Sequence, residues 1–243
     1  MATPNYSETT YAFLLLSELQ AKHGGGPIYP TFLTQQQEGA PGGGYDATVN
    51  LSGAIHFLQF KRSHVMSYVT AQELASGDFT GPPVFRMNLR KKNGYYQHTQ
   101  LNELEADGQS VLYASSGASS QDQLKTQCQI QTVVNSSGFF RPSEIIFSAD
   151  GQQHFVSFVP SSPYFHTYSQ EGRRAKREIP NEEAFLRYSA ERRKTNRQNL
   201  AALGRFVGDL VPSVFPGQPE SIVQRAALWA RMRYDCELIL LPD

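Results

Sequence analysis

The stretch GYDATVNLSGAIHFLQFKRS, from Gly44 to Ser63, brings together the carboxylate of Asp46, the amide of Gln59 and the ammonium of Lys61. Side chains alternate along a strand, so Gln59 and Lys61 project from one face. Ser52-Gly53 has the signature of a two-residue turn between YDATVNL (45–51) and AIHFLQFKR (54–62). That hairpin would set Asp46 near the level of Gln59. Taken singly, Lys61 can snorkel and Asp46 can cap the loop it follows. Jointly, amid Ala47, Val49, Phe57, Leu58 and Phe60, such groups are costly to hold unless they pair or bind a metal. Such a trio supplies oxygen ligands for a cation and an ammonium for an anion.

The elements that must position these residues follow from periodicity and punctuation. Ser7–His23 starts on a capping residue and ends before GGG, which predicts a helix with Tyr11, Leu14, Leu15, Glu18 and Leu19 near one face. Short strands are expected at 28–34 and 84–90, a loop at 35–44, a helix at 96–107 that ends at Gly108, and a strand at 110–116. Farther on, 144–161 has the pattern of two strands around Asp150-Gly151. A long helical pattern covers 182–211, a helix resumes at 222–233 with Trp229 in the core, and CELILLP closes the chain as a strand. The order begins helix, three strands, helix, strand, with one extra strand inserted.

Composition narrows the function classes. A chain of 243 residues, 40% apolar and 12% aromatic, has enough material for a full core. It has neither an apolar run long enough to cross a bilayer nor a signal-peptide start, and Cys128 and Cys236 stand in unlike contexts, so a cytoplasmic protein with reduced thiols is expected. The histidines have no zinc-ligand spacing, and nucleophile-elbow, phosphate-loop and dinucleotide fingerprints are absent from the sequence. Ten of the 22 Lys and Arg residues fall between Arg173 and Arg205, in blocks such as RRAKR (173–177) and RRKTNR (192–197). These blocks suit a phosphate backbone or, equally, a solvated helix face paired with Glu178, Glu182, Glu183 and Glu191.

With Asp46 followed by Gln59-Phe60-Lys61, and with this order of elements over about residues 7–116, the chain resembles the PD-(D/E)xK nuclease superfamily in its Gln-x-Lys variant. Tyr45 stands where that motif has its dispensable proline. The chain is also similar to bacterial proteins that carry GYDA, FLQFK and QH, matched here by Gly44–Ala47, Phe57–Lys61 and Gln97-His98.

The resemblance implies an α/β fold: a restriction-endonuclease-like mixed central sheet flanked by helices, with a nuclease-like core at 1–165 and a basic helical extension at 166–243 that returns a final strand. It implies a metal-dependent nuclease acting on DNA, with Mg2+ or Mn2+ held by Asp46, by the amide oxygen of Gln59 and by Glu18, with Glu38 as the second candidate for that third ligand. Lys61 would orient the attacking water or stabilise developing charge. Gln97 and His98, at the start of the second helix, would contact substrate phosphate or relay a proton, although a surface or capping histidine is the plain alternative. Arg192, Arg193 and Lys194 would add contacts to the nucleic-acid backbone without reading bases. Bacterial antiviral defence is the expected setting, with a homodimer or a defence-complex partner. The competing expectation is a catalytically inactive nuclease-fold protein that binds nucleic acid or scaffolds such an assembly.

Overall fold

Ser7 starts the first helix with a side-chain cap: its hydroxyl accepts from the Thr10 amide at 2.9 Å, satisfying one donor that a helix start leaves without a partner. The computed structural model describes residues 2–23, 49–50, 54–89, 91–106, 110–147, 152–168, 172–179, 181–191 and 237–241. Helix α1 (Glu8–His23) buries Tyr11, Ala12, Leu15, Leu16 and Leu19, the spacing of one helical face.

Among the described residues the strands form two five-stranded sheets in a mixed α/β fold. The first has the order β1 (Val49–Asn50), β10 (Glu237–Leu241), β2 (Ala54–Lys61), β5 (Ser110–Ser115) and β6 (Gly138–Phe140). The second has the order β3 (His64–Met66), β4 (Val84–Asn88), β7 (Phe155–Phe158), β8 (Tyr164–Tyr168) and β9 (Gly172–Lys176). The helices are α1, the short α2 (Gln72–Ala75), α3 (Lys92–Ala106), α4 (Gln121–Gln129) and α5 (182–191). No described helix is long and apolar enough to cross a membrane.

Alternation along β2 and β5 divides the interior in two. Leu58, Phe60, Leu112 and Ala114 join α1, Leu124 of α4 and Phe185 of α5 in one apolar cluster. Val111 and Tyr113 point the other way, toward Tyr95 and Leu101 of α3 and the inner face of the second sheet, where Phe85, Met87, Val156, Phe158 and Phe165 lie. The first sheet is thus covered on one side by α1, α4 and α5 and on the other by α3 and the second sheet. Behind β5 the packing is tight: a Cβ on Gly117 would stand 2.0 Å from the Ser136 carbonyl oxygen, so only glycine fits this close approach.

Several expectations need correction. The strands on either side of Ser52-Gly53 are not neighbours, because β10 pairs with both, antiparallel to β2 and parallel to β1. A turn signal reports a chain reversal; it does not prevent a distant strand from inserting between the arms. Of the strands expected at 144–161, β7 forms; Glu144 closes a 3-10 turn, 145–147 are not strand, and 148–151 lie outside the described residues. RRAKR falls in and just after strand β9 rather than on a helix, with Arg174 and Lys176 exposed and Arg177 buried. The division at 165/166 lies within β8, with β7 and β9 on either side of it in one sheet. The expected strand at 28–34 and helix at 222–233 lie outside the described residues.

Candidate functional site

β2 and β5 run parallel in the register Gln59↔Tyr113 and Lys61↔Ser115, and both strands end at that level. Ligands of open α/β sheets gather beyond the carboxyl ends of such strands. The ends are tied together by the Ser116 amide and the Ser115 hydroxyl, each donating to the Lys61 carbonyl at 3.3 Å, and by a 2.7 Å hydroxyl contact between Ser63 and Ser115.

On the face of β2 away from α1, helix α3 brings Gln97 over Gln59 and Lys61. The Lys61 ammonium donates to Gln97 Oε1 at 3.3 Å, Gln97 Nε2 donates to Gln59 Oε1 at 2.9 Å, and Gln59 Nε2 donates to the Phe60 carbonyl at 3.2 Å. Both amides are buried and Lys61 is half-buried. The sequence reading put Gln59 and Lys61 on one face from alternation. What it did not specify is that Gln97 bridges them.

His98, the next residue of α3, is buried, and its Nδ1 lies 3.1 Å from the Tyr113 hydroxyl. Its ring packs at 5.0 Å from that of Phe147, which stacks on His154 at 4.3 Å. Burial pushes the His98 pKa down to about 4, against a hydrogen bond involving the Ile145 backbone that raises it, so the imidazole is neutral at pH 7 and brings no charge to a phosphate. Tyr113 was not singled out from sequence, although its level beside Gln59 follows once β2 and β5 are taken as parallel.

Glu18 is placed elsewhere. α1 covers the Leu58 and Phe60 face, opposite to Gln59 and Lys61, and Glu18 there accepts from the Val133 amide at 2.6 Å and pairs with Lys22 at 2.9 Å. Lys22 continues to Glu182 of α5 at 2.9 Å. The expected metal ligand is instead a buried fastener between α1, the 130–134 turn and α5. Asp46, Glu38, Arg192, Arg193 and Lys194 lie outside the described residues.

Among the described residues no group of three or more His, Cys, Asp or Glu is arranged to hold a metal ion. Among the described residues, the side-chain amide oxygens in the Lys61 hydrogen-bond chain are those of Gln59 and Gln97, both neutral, whereas hard divalent cations take carboxylates among their oxygen ligands. The set does not fit a divalent cation without a carboxylate from outside the described residues. The chain matches no protein-family model, no curated protein and no solved structure.

Proposed function

We propose that this chain is a metal-dependent nuclease with a restriction-endonuclease-like core, hydrolysing phosphodiester bonds in DNA at the Gln59–Lys61 face, with bacterial defence as its setting. The observation that carries this reading is the directed chain Lys61→Gln97→Gln59 at the carboxyl end of the β2–β5 pair. The Gln97 amide fixes the direction of one Lys61 N–H, which suits a group that must meet developing negative charge. Lys61 supplies the positive charge for a phosphate oxygen, Gln97 sets its direction, and Gln59 is anchored through its amide nitrogen with an oxygen lone pair to spare. A bound Mg2+ or Mn2+ would contribute Lewis-acid activation of water and phosphate. The reading assigns its carboxylate ligand to Asp46.

A second reading is favoured by one feature of the same chain. The Gln59 oxygen and nitrogen are both engaged within the protein, the state expected of a structural amide, which suits a nuclease-fold protein that binds nucleic acid or scaffolds a defence assembly without turnover.

Supercoiled plasmid incubated with Mg2+ or Mn2+ separates these outcomes. The nuclease reading expects nicking or linearisation by the wild type and loss of at least about a hundredfold in Lys61→Ala and Asp46→Asn. Metal-independent retention of DNA with no cutting supports the binding reading, and inertness in both assays overturns both.

A further inference from the structure

A row of strand partners crosses the second sheet: His64 on β3 opposes Arg86 on β4, Arg86 opposes Ser157 on β7, Ser157 opposes His166 on β8, and His166 opposes Arg174 on β9. Directly opposed residues share a face, and their chain neighbours Phe85, Val156, Phe158, Phe165 and Ala175 turn the other way into the core. At about 4.8 Å per strand the row is about 19 Å long, which suits a linear ligand better than a single ion. Its members are cations or hydrogen-bond donors. The two arginines are steadied by the sheet itself, with the Arg86 guanidinium 4.0 Å from the Phe155 ring centre and that of Arg174 3.8 Å from the Tyr164 ring centre.

Segment 67–83, between β3 and β4, crosses this face as a strap, and its single buried residue is a carboxylate, Glu73. Segments are ordinarily anchored by apolar side chains, since a buried charge needs full compensation. Glu73 receives Arg86 Nε and Nη2 at 2.7 Å each, in a bidentate fork, and the Ser157 hydroxyl at 2.8 Å. Asp78, the second acid of the strap, accepts from the Tyr168 hydroxyl at 2.6 Å. It also stands 3.5 Å from His166 Nδ1, a buried nitrogen with no hydrogen-bond partner among the described residues. Two carboxylates on one strap therefore occupy neighbouring donor sets on the sheet, and a bidentate guanidinium suits phosphate as well as carboxylate. The strap has little local stability of its own: α2 is four residues long and Ala71 offers no side-chain cap.

We propose that the outer face of the second sheet binds the phosphodiester backbone of a nucleic acid, and that the strap is a built-in competitor whose Glu73 and Asp78 stand where phosphates bind. Engagement of nucleic acid then displaces the strap, with Arg86 and Ser157 exchanging one oxyanion for another. This surface requires neither Asp46 nor Lys61, so it stands or falls apart from hydrolysis.

The test is fluorescence anisotropy of a labelled single-stranded oligodeoxynucleotide in EDTA, which removes cleavage from the readout. The variant Glu73→Gln/Asp78→Asn is expected to bind about tenfold tighter than wild type, and adding Arg86→Gln is expected to abolish that gain. A cooperatively melting double variant that binds no tighter, or a gain that survives Arg86→Gln, overturns the proposal. If the double variant does not melt cooperatively, hydrogen exchange of the wild-type chain decides: faster amide exchange in 67–83 on adding the oligodeoxynucleotide is expected, and unchanged or slower exchange overturns it.

Discussion

Around Glu73 a carboxylate meets a guanidinium in a bidentate fork with a hydroxyl on the same oxygen; around Lys61 an ammonium meets an amide oxygen, and that amide passes its own hydrogen to a second amide. The first arrangement pairs opposite charges where they are buried, and the second fixes the direction of an ammonium N–H through a neutral amide. Breaking a buried ion pair exposes the full desolvation cost of the remaining partner. Loss of a hydrogen bond from a half-buried lysine to a neutral amide costs less than that. The two assemblies should therefore separate cleanly, one in melting curves and the other in turnover.

The largest expected effect is on folding. Glu73→Ala leaves Arg86 and Ser157 facing an apolar methyl and should cost about 3 kcal/mol or more in urea or thermal denaturation. Lys61→Ala should stay within about 1 kcal/mol of wild type in the same curves. Equal losses in the two variants would erase the distinction drawn between the assemblies.

The next effect comes from His98. Its folded pKa, about 4, lies below the ordinary value of 6.5, so its contribution is complete above pH 6.5 and is lost as pH falls toward 4. The loss should be about 3 kcal/mol across that window, and His98→Phe should remove it from the stability profile. A similar dependence on acid in His98→Phe would place the titration elsewhere.

Smaller and more local is the strap. Burial pushes the Glu73 carboxyl upward, but the bonds from Arg86 and Ser157 outweigh it and hold its pKa below the usual range. Asp78 is likewise held low, with burial outweighed by the Ser76 and Tyr168 hydroxyls. Depressed carboxyl values give stability that is present above the unfolded pKa and lost as pH falls through the folded one. Protection of the 67–83 amides relative to their intrinsic exchange rates should accordingly fall below about pH 4, before that of the core strands of the second sheet. The smallest change is expected for Gln97→Leu, about 1 kcal/mol in stability, with the rate of cleavage falling more than affinity for DNA.

Much of the first sheet could be read from local pattern. Alternation alone sets Gln59 and Lys61 against Leu58 and Phe60, and the cap at Ser7 with its spaced leucines defines α1. β5 is legible as a short run between turn signals. Two kinds of information were not local. Which face of a sheet a helix covers depends on the connection, so the burial of Glu18 could be anticipated but not the side on which it lies. Nor does local pattern reveal the partner of β10: the strand itself is expected from CELILLP, but its pairing with β2 joins residues far apart in sequence. In the second sheet β4 and β7 match expected strands, whereas β3, three residues long, is too brief for periodicity to register. Glu73 gives no sequence signal: an acid in a polar stretch resembles a solvated one until Arg86 and Ser157 are placed beneath it.

In the proposed function, Lys61 acts on phosphodiesters from a face whose geometry Gln97 maintains. The most direct test of this role is the initial rate of supercoiled-plasmid cleavage in Mg2+, measured for wild type and Lys61→Ala in preparations matched for melting temperature. Rapid relaxation by the wild type with at least about a hundredfold loss in the variant is the predicted result. Equal rates in the two proteins, or no cleavage by either, would contradict it.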